Sequence, residues 1–151
     1  MNYTFEITKT SRNVFLSFLN DYSVEQLNKV PPGFNNNLIW NIGHIVVVQQ
    51  MIVYGLSGLP MMVSNEMVQK YKKGTRPETD VTAAEIEEIK TLLFSTIKQT
   101  MIDFENGIFK QYQEYTTSVG YHLSNAKDAM EFNNCHEGIH LGMMLSLRKF
   151  I

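Results

Sequence analysis

His136-Glu137-Gly138-Ile139-His140 reads as H-E-x-x-H. Two imidazoles four residues apart leave one helix face together and can share a metal ion. They supply two-thirds of a three-His catalytic site, a class that keeps a coordination position open for water or substrate. The competing reading is a pair of part-exposed histidines near a helix terminus, where they favour the dipole. A third ligand decides between the two. Zinc peptidases with this motif take theirs downstream, from a later Glu or His. Here the downstream stretch Leu141–Ile151 holds no His, Asp, Glu or Cys. Such peptidases also need a sheet to bind a peptide, and this chain has little strand signal. A third ligand therefore has to come from upstream, and His44 is the best placed. It stands within Trp40–Val48, the most apolar segment of the chain. Gly43 beside it allows close approach of another helix or a ligand. The alternative for His44 is a core histidine bonded to a backbone carbonyl. His122 falls in a loop region, expected exposed, from which it could close over the site.

Other residues near the motif have two readings each. Glu137, one residue past His136, points about 100° away around a helix. It either reaches a water at the metal as acid or base, or is simply solvated. Asn133 lies one turn before His136, placed to orient a ligand or substrate, and Trp40 is the matching pocket residue on the upstream helix. Cys135 faces away from the His pair and reads as a packed thiol rather than a nucleophile. Tyr54, Tyr71 and Tyr121 are candidates for a pocket rim. A ferritin-like di-iron site needs a second Glu-x-x-His and two more inward carboxylates. The helix around His44 has no acidic residue, so that reading is set aside.

The elements that must position these residues are helical. Apolar periodicity predicts a first long helix from about Thr4 to Asn20, with Phe5, Val14, Phe15, Phe18 and Leu19 on its inner face. A short helix, Ser23–Lys29, opens with a Ser23/Gln26 capping box and is stopped by Pro31-Pro32-Gly33. A second long helix, about Asn36–Tyr54, is apolar on most sides and so expected to be deeply buried. A long polar connection, Pro60–Val81, follows with one short helical candidate, Asn65–Tyr71. Such a length inside a bundle is often a lid or a crossover. Thr82 and Glu85 form a second capping-box pattern for a third long helix reaching about Glu105. Its stripe is Ile86, Ile89, Leu92, Leu93, Ile97, Met101 and Phe104. Tyr112–Leu123 reads as a short extended stretch. The fourth long helix starts after Ser124 or Asn125, with a stripe of Ala129, Phe132, Ile139, Met143, Leu147 and Phe150. The fold class is all-α: a four-helix bundle with a long crossover between the second and third long helices, in one domain, 1–151. Bundles of this kind build metal sites from side chains on facing helices.

Composition sets the outer limits. A net charge of -2, with no run of Lys or Arg, leaves no footprint for nucleic acid. A single cysteine cannot form an internal disulfide and suits a reducing compartment. No apolar leader is evident at the N-terminus, and the longest apolar run, Ile45–Val48, is too short to span a membrane. A cytoplasmic protein is the expectation. The nine methionines could line an adaptable pocket but more simply fill an irregular core.

Asn37–His44 together with His136–Gly142 resembles the DinB-like (YfiT-like) superfamily. Its pattern is a Gly-His pair on the second helix and H-x-x-x-H on the last. His44, His136 and His140 fill all three positions, and the order of elements matches over nearly the whole chain. The resemblance implies a four-helix bundle with a divalent metal, nickel or zinc, on those three histidines. It also implies frequent homodimers, a small-molecule substrate and, in some members, transfer of a low-molecular-weight thiol. A metal-dependent transferase or hydrolase is one expectation; the other is a non-catalytic metal or small-ligand binding bundle. An open cavity beside the metal separates them: an enzyme needs one, and closure by Trp40, Phe132 and Met143 would favour the second.

Overall fold

The computed structural model describes residues 2–151. Six α-helices follow one another: α1 (Asn2–Asp21), α2 (Val24–Asn28), α3 (Leu38–Gln50), α4 (Asn65–Tyr71), α5 (Ala83–Glu105) and α6 (Ala126–Leu147). A π-helical turn, Met51–Gly55, continues α3, and a 3-10 turn, Arg148–Phe150, ends the chain after α6. Between α5 and α6 a small antiparallel hairpin pairs β1 (Tyr115–Thr116) with β2 (His122–Leu123). The long helices are α1, α3, α5 and α6, and α1 and α3 each pack on both α5 and α6. This is the predicted four-helix bundle, with α4 carried on the crossover from α3 to α5.

Side-chain caps set the helix starts. Ser23, Asn37, Ser64, Thr82 and Asn125 each accept a hydrogen bond from the amide three residues on, worth about 1 kcal/mol apiece. The Ser23/Gln26 box closes in both directions. The expected box at Thr82 forms only half, because Glu85 turns its carboxylate to Lys70 and Tyr71 of α4. α3 is buried on nearly every side, as its composition requires. With the π turn it forms a segment, Leu38–Gly55, that is long and apolar enough to cross a membrane. Here the segment lies inside the bundle, covered by α2, α4, α5 and α6.

The core divides into two apolar clusters with a polar layer between them. One cluster gathers Phe15, Phe18, most of α3, Leu93, Met144 and Leu147. The other gathers Phe5, Ile52–Tyr54, Ile97, Ala129 and Met130. At the level between, every long helix contributes buried polar groups: Thr8 and Arg12 from α1, His44, Gln49 and Gln50 from α3, Thr96 and Thr100 from α5, and Asn133, Glu137 and His140 from α6. This layer corrects the stripe predicted for the last helix, of which Ala129 and Leu147 are inside as expected. The inward face of α6 is Ala126, Ala129, Met130, Asn133, Glu137, His140, Met144 and Leu147. Ile139, Met143 and Phe150, expected inside, are exposed. Cys135 is exposed as well, not packed. Val14 of α1 also faces out.

Arg12 and Glu137 explain the reversal. Arg12 is fully buried, and its Nε and Nη2 donate to Glu137 Oε1 at 3.1 and 2.9 Å. Its Nη1 donates to the Leu93 carbonyl at 2.6 Å and to Thr96 Oγ1 at 2.9 Å. Asn133 Nδ2 adds a third donor to the same carboxylate oxygen at 2.9 Å. A buried carboxylate without such partners would be driven out of the core.

Candidate metal centre and adjoining cavity

His44 projects from the middle of α3 towards α6. Its Nδ1 lies 2.6 Å from the carbonyl oxygen of Tyr71, the last residue of α4. A carbonyl only accepts, so Nδ1 carries the proton and Nε2 keeps its lone pair. The ring stacks on Trp40 with centroids 4.6 Å apart, and Trp40 Nε1 donates to Thr75 Oγ1. The crossover therefore serves as the scaffold of His44. Gly43 makes this possible: a Cβ there would stand 2.6 Å from Cδ1 and Cε1 of the Tyr71 ring.

His140 is held the same way from the other side. Its Nδ1 lies 2.8 Å from Asn41 Oδ1. The amide orientation follows from Asn41 Nδ2, which donates to the Asn37 carbonyl at 2.7 Å. His140 Nδ1 is thus the donor, and its Nε2 is free to bind. Outer hydrogen bonds of this kind orient metal-ligating imidazoles and raise their basicity. His136, one turn earlier on α6, has a buried Nδ1 with no partner. An unsatisfied ring nitrogen in a half-buried setting is what an additional ligand would relieve.

The three rings meet. Centroid separations are 5.2 Å for His44–His136, 4.7 Å for His44–His140 and 4.6 Å for His136–His140. One nitrogen from each lies within 4.8 Å of the others. Imidazoles sharing a metal at about 2.1 Å bonds stand roughly 3.3 Å apart, so a small inward movement closes the set. Burial lowers the basicity of all three, with their mutual repulsion added for His136 and His140. His136 falls to about 4 and His140 to about 3. All are neutral near pH 7, the form a metal requires. Three neutral nitrogen donors from two helices fit a divalent metal ion.

A cavity of about 230 Å³ opens beside the cluster, with His44 and His136 on its wall. Val48, Met51, Ile52, Leu56 and Phe132 make the rest of the wall apolar, and Lys73, Tyr115, Thr117 and Ser118 stand at its edge. The π turn swings Met51 and Ile52 into this position; π-bulges recur at functional sites for this kind of re-aiming.

The sequence-predicted residues divide accordingly. His44, His136 and His140 come together. Glu137 does not join them: it is neither solvated nor on the cavity wall, but committed to Arg12. Asn133 belongs to the same buried pair and not to the pocket. Trp40 backs His44 without lining the cavity. Phe132 lines the cavity without closing it, and Met143 lies outside. Of the tyrosines, Tyr71 supports His44, Tyr54 donates to Asp103, and Tyr121 packs on Phe132 from outside. His122 is exposed and engages Thr116 and Glu114. Arg12 and Asn41 escaped sequence reasoning, yet both had a signal. Arg12 falls on the Phe5-Thr8-Arg12-Phe15-Leu19 face of its helix, and Asn41 is a polar residue inside an apolar one.

Residues 7–144 match the sequence profile of the DinB superfamily, and the chain belongs to that superfamily. A solved structure, described as the conserved protein of locus from Enterococcus faecalis, has the same fold, with a TM-score of 0.68 at 12% identity. That match covers 99% of this chain and 95% of the other. No curated protein matches the sequence.

Proposed function

We propose that the chain is a metal-dependent enzyme, with nickel or zinc on His44, His136 and His140 and a small-molecule substrate in the adjoining cavity. One observation carries this: His44 and His136 belong both to the nitrogen cluster and to the cavity wall. Purely structural metal sites are closed by four protein ligands; this one has three and borders open space. His44, His136 and His140 would hold a divalent ion, which would supply Lewis-acid chemistry: polarising a carbonyl, or lowering the pKa of a water or thiol. The chain's residues do the rest. Tyr71 and Asn41 fix the tautomers of His44 and His140. Val48, Ile52 and Phe132 keep bulk water from the reacting groups. Glu137 holds α6 in place through Arg12. Transfer of a low-molecular-weight thiol to an electrophile is the reaction that superfamily membership favours, with hydrolysis as the alternative. The exposed apolar Ile139 and Met143 on α6 support a homodimer, and a free exposed Cys135 supports a reducing, cytoplasmic setting.

Elemental analysis of the purified protein tests the centre. His44→Ala or His140→Ala should strip the metal, and full retention in either variant removes the triad. Metal-loaded protein incubated with low-molecular-weight thiols and an alkyl halide should consume thiol. No turnover there or on a panel of esters and amides leaves a non-catalytic binding protein in its place.

A further inference from the structure

Among the described residues, Lys73 is the one charged side chain on the cavity wall, since the lining histidines are neutral near pH 7. Its neighbours are engaged: Lys70 with Glu85 at 2.7 Å, and Lys72 with Gln69 at 2.5 Å. Lys73 forms no ion pair among the described residues. The turn that carries it is pinned, since the Thr75 hydroxyl bonds the carbonyls of Lys70 and Lys72 and also accepts from Trp40. The backbone turn that carries Lys73 is therefore tied to α3 through Trp40.

Two hydroxyls complete the mouth. Thr117 is held in the hairpin loop, its amide donating to the Tyr121 carbonyl at 2.8 Å and its Oγ1 accepting from the Tyr121 amide at 3.0 Å. The Thr117 proton is left free to donate. Ser118 is exposed beside it on the same wall. The hairpin carboxylate Glu114 turns to His122, 3.4 Å away. The lining thus brings together the Lys73 cation, the Thr117 and Ser118 hydroxyls, apolar side chains and the imidazoles of His44 and His136.

We propose that the substrate is a small amphipathic carboxylate. Its apolar body fills the cavity of about 230 Å³, its carboxylate pairs with Lys73 with help from Thr117 and Ser118, and its far end faces His44 and His136. This rests on the cavity being the substrate site of the proposed metal centre. An uncharged body alone would leave Lys73 without function at the mouth. A carboxylate bound directly at the histidines would place its apolar end among the polar groups of the rim.

The test uses the full chain, zinc-loaded and chelator-treated, titrated calorimetrically with 3-phenylpropanoate and with the neutral 3-phenylpropanamide. The acid should bind about threefold to tenfold more tightly than the amide in both forms, the range for a partly exposed ion pair. Lys73→Gln should abolish the preference and Lys73→Arg should keep it. Equal affinities in the wild type, no binding of either probe, or a preference that survives Lys73→Gln would overturn the proposal. A preference that survives Lys73→Gln but vanishes with zinc supports the metal centre while removing the role of Lys73. A Lys73-dependent preference in a protein that holds no zinc does the reverse.

Discussion

Gly43→Ala should separate a structural demand from a helix preference by the sign of its effect. In an unstrained helix the change stabilises by about 1 kcal/mol. At Gly43 the new Cβ meets the Tyr71 ring at 2.6, 2.6 and 2.9 Å. Ordinary carbon contacts begin near 3.5 Å, so the ring must retreat by roughly an ångström. Tyr71 is fixed at both ends, its hydroxyl donating to Glu85 at 2.5 Å and its carbonyl accepting from His44 at 2.6 Å. Overpacking costs about 1–3 kcal/mol, and a weakened bond to a charged group up to about 3 more. Against the helix gain, these ranges sum to a net loss of about 0–5 kcal/mol, centred on about 2.5, which is roughly 5–10 °C in Tm for a chain of this size. Displacing the Tyr71 carbonyl also frees the His44 ring, with an expected loss of about 10–100-fold in zinc affinity. Gly138→Ala is the control: that glycine is also helical, and nothing lies within 4 Å of its would-be Cβ. It should raise Tm slightly and leave zinc binding intact. Urea and thermal unfolding with chelator, and competition against a chromophoric chelator, read both effects. If Gly43→Ala melts higher than the parent, as Gly138→Ala should, the packing of Tyr71 on α3 is wrong.

Arg12→Met should destabilise by about 3–5 kcal/mol, because it leaves Glu137 charged and unpaired in the core. Arg12→Met with Glu137→Leu should recover most of that in urea unfolding; a double variant no better than the single would refute the pairing. Asn41→Leu should cost about 10–100-fold in zinc affinity through His140, and an unchanged affinity would show that Asn41 does not orient the ring. The metal-free protein should lose stability on acidification. His136 and His140 are neutral when folded, with values of about 4 and about 3, whereas the unfolded chain takes up protons below about 6.5. The unfolded state thus binds more protons, so stability is complete above about pH 6.5 and falls by on the order of a few kcal/mol towards pH 4. A flat profile in the wild type, or the same slope in His136→Ala/His140→Ala, would remove these rings as the cause.

The bundle was legible because most apolar residues of α1, α3 and α5 lie inside, even though Thr8, Arg12, Thr96 and Thr100 join them and Val14 faces out. In α3 the surroundings are so apolar that His44 stands out, although Asn41, Gln49 and Gln50 are buried in the same helix. In α6 this pattern fails. Asn133, Glu137 and His140 are inside, while Ile139 and Met143 are outside, so a stripe built from apolar residues selects the wrong face. Nothing local corrects it. The partner that makes Glu137 tolerable in the core is Arg12, 125 positions away; its place on the apolar face of α1 marks it as buried but does not name Glu137 as its partner. The support of His44 was hidden for another reason: it is a backbone carbonyl, which every residue possesses.

These two hidden contacts bear on the site itself. Glu137 lies about 100° from His136 around α6 and about 60° from His140. If hydrophobicity alone set the rotation of α6, Ile139 and Met143 would turn inward. The arc from His136 to Glu137 would then move away from α3, and His44 would face no partner. The Arg12 pair holds the rotation at which both imidazoles meet the third. A buried ion pair is weak evidence for stability; its contribution here is to specificity, by selecting one of two faces that α6 could present to the core. That role has its own consequence. The variant with Arg12→Met and Glu137→Leu should regain stability, yet its zinc affinity should fall if α6 then turns towards Ile139 and Met143. Full stability with full affinity would mean that Asn41 and Tyr71 fix the centre without help from the ion pair.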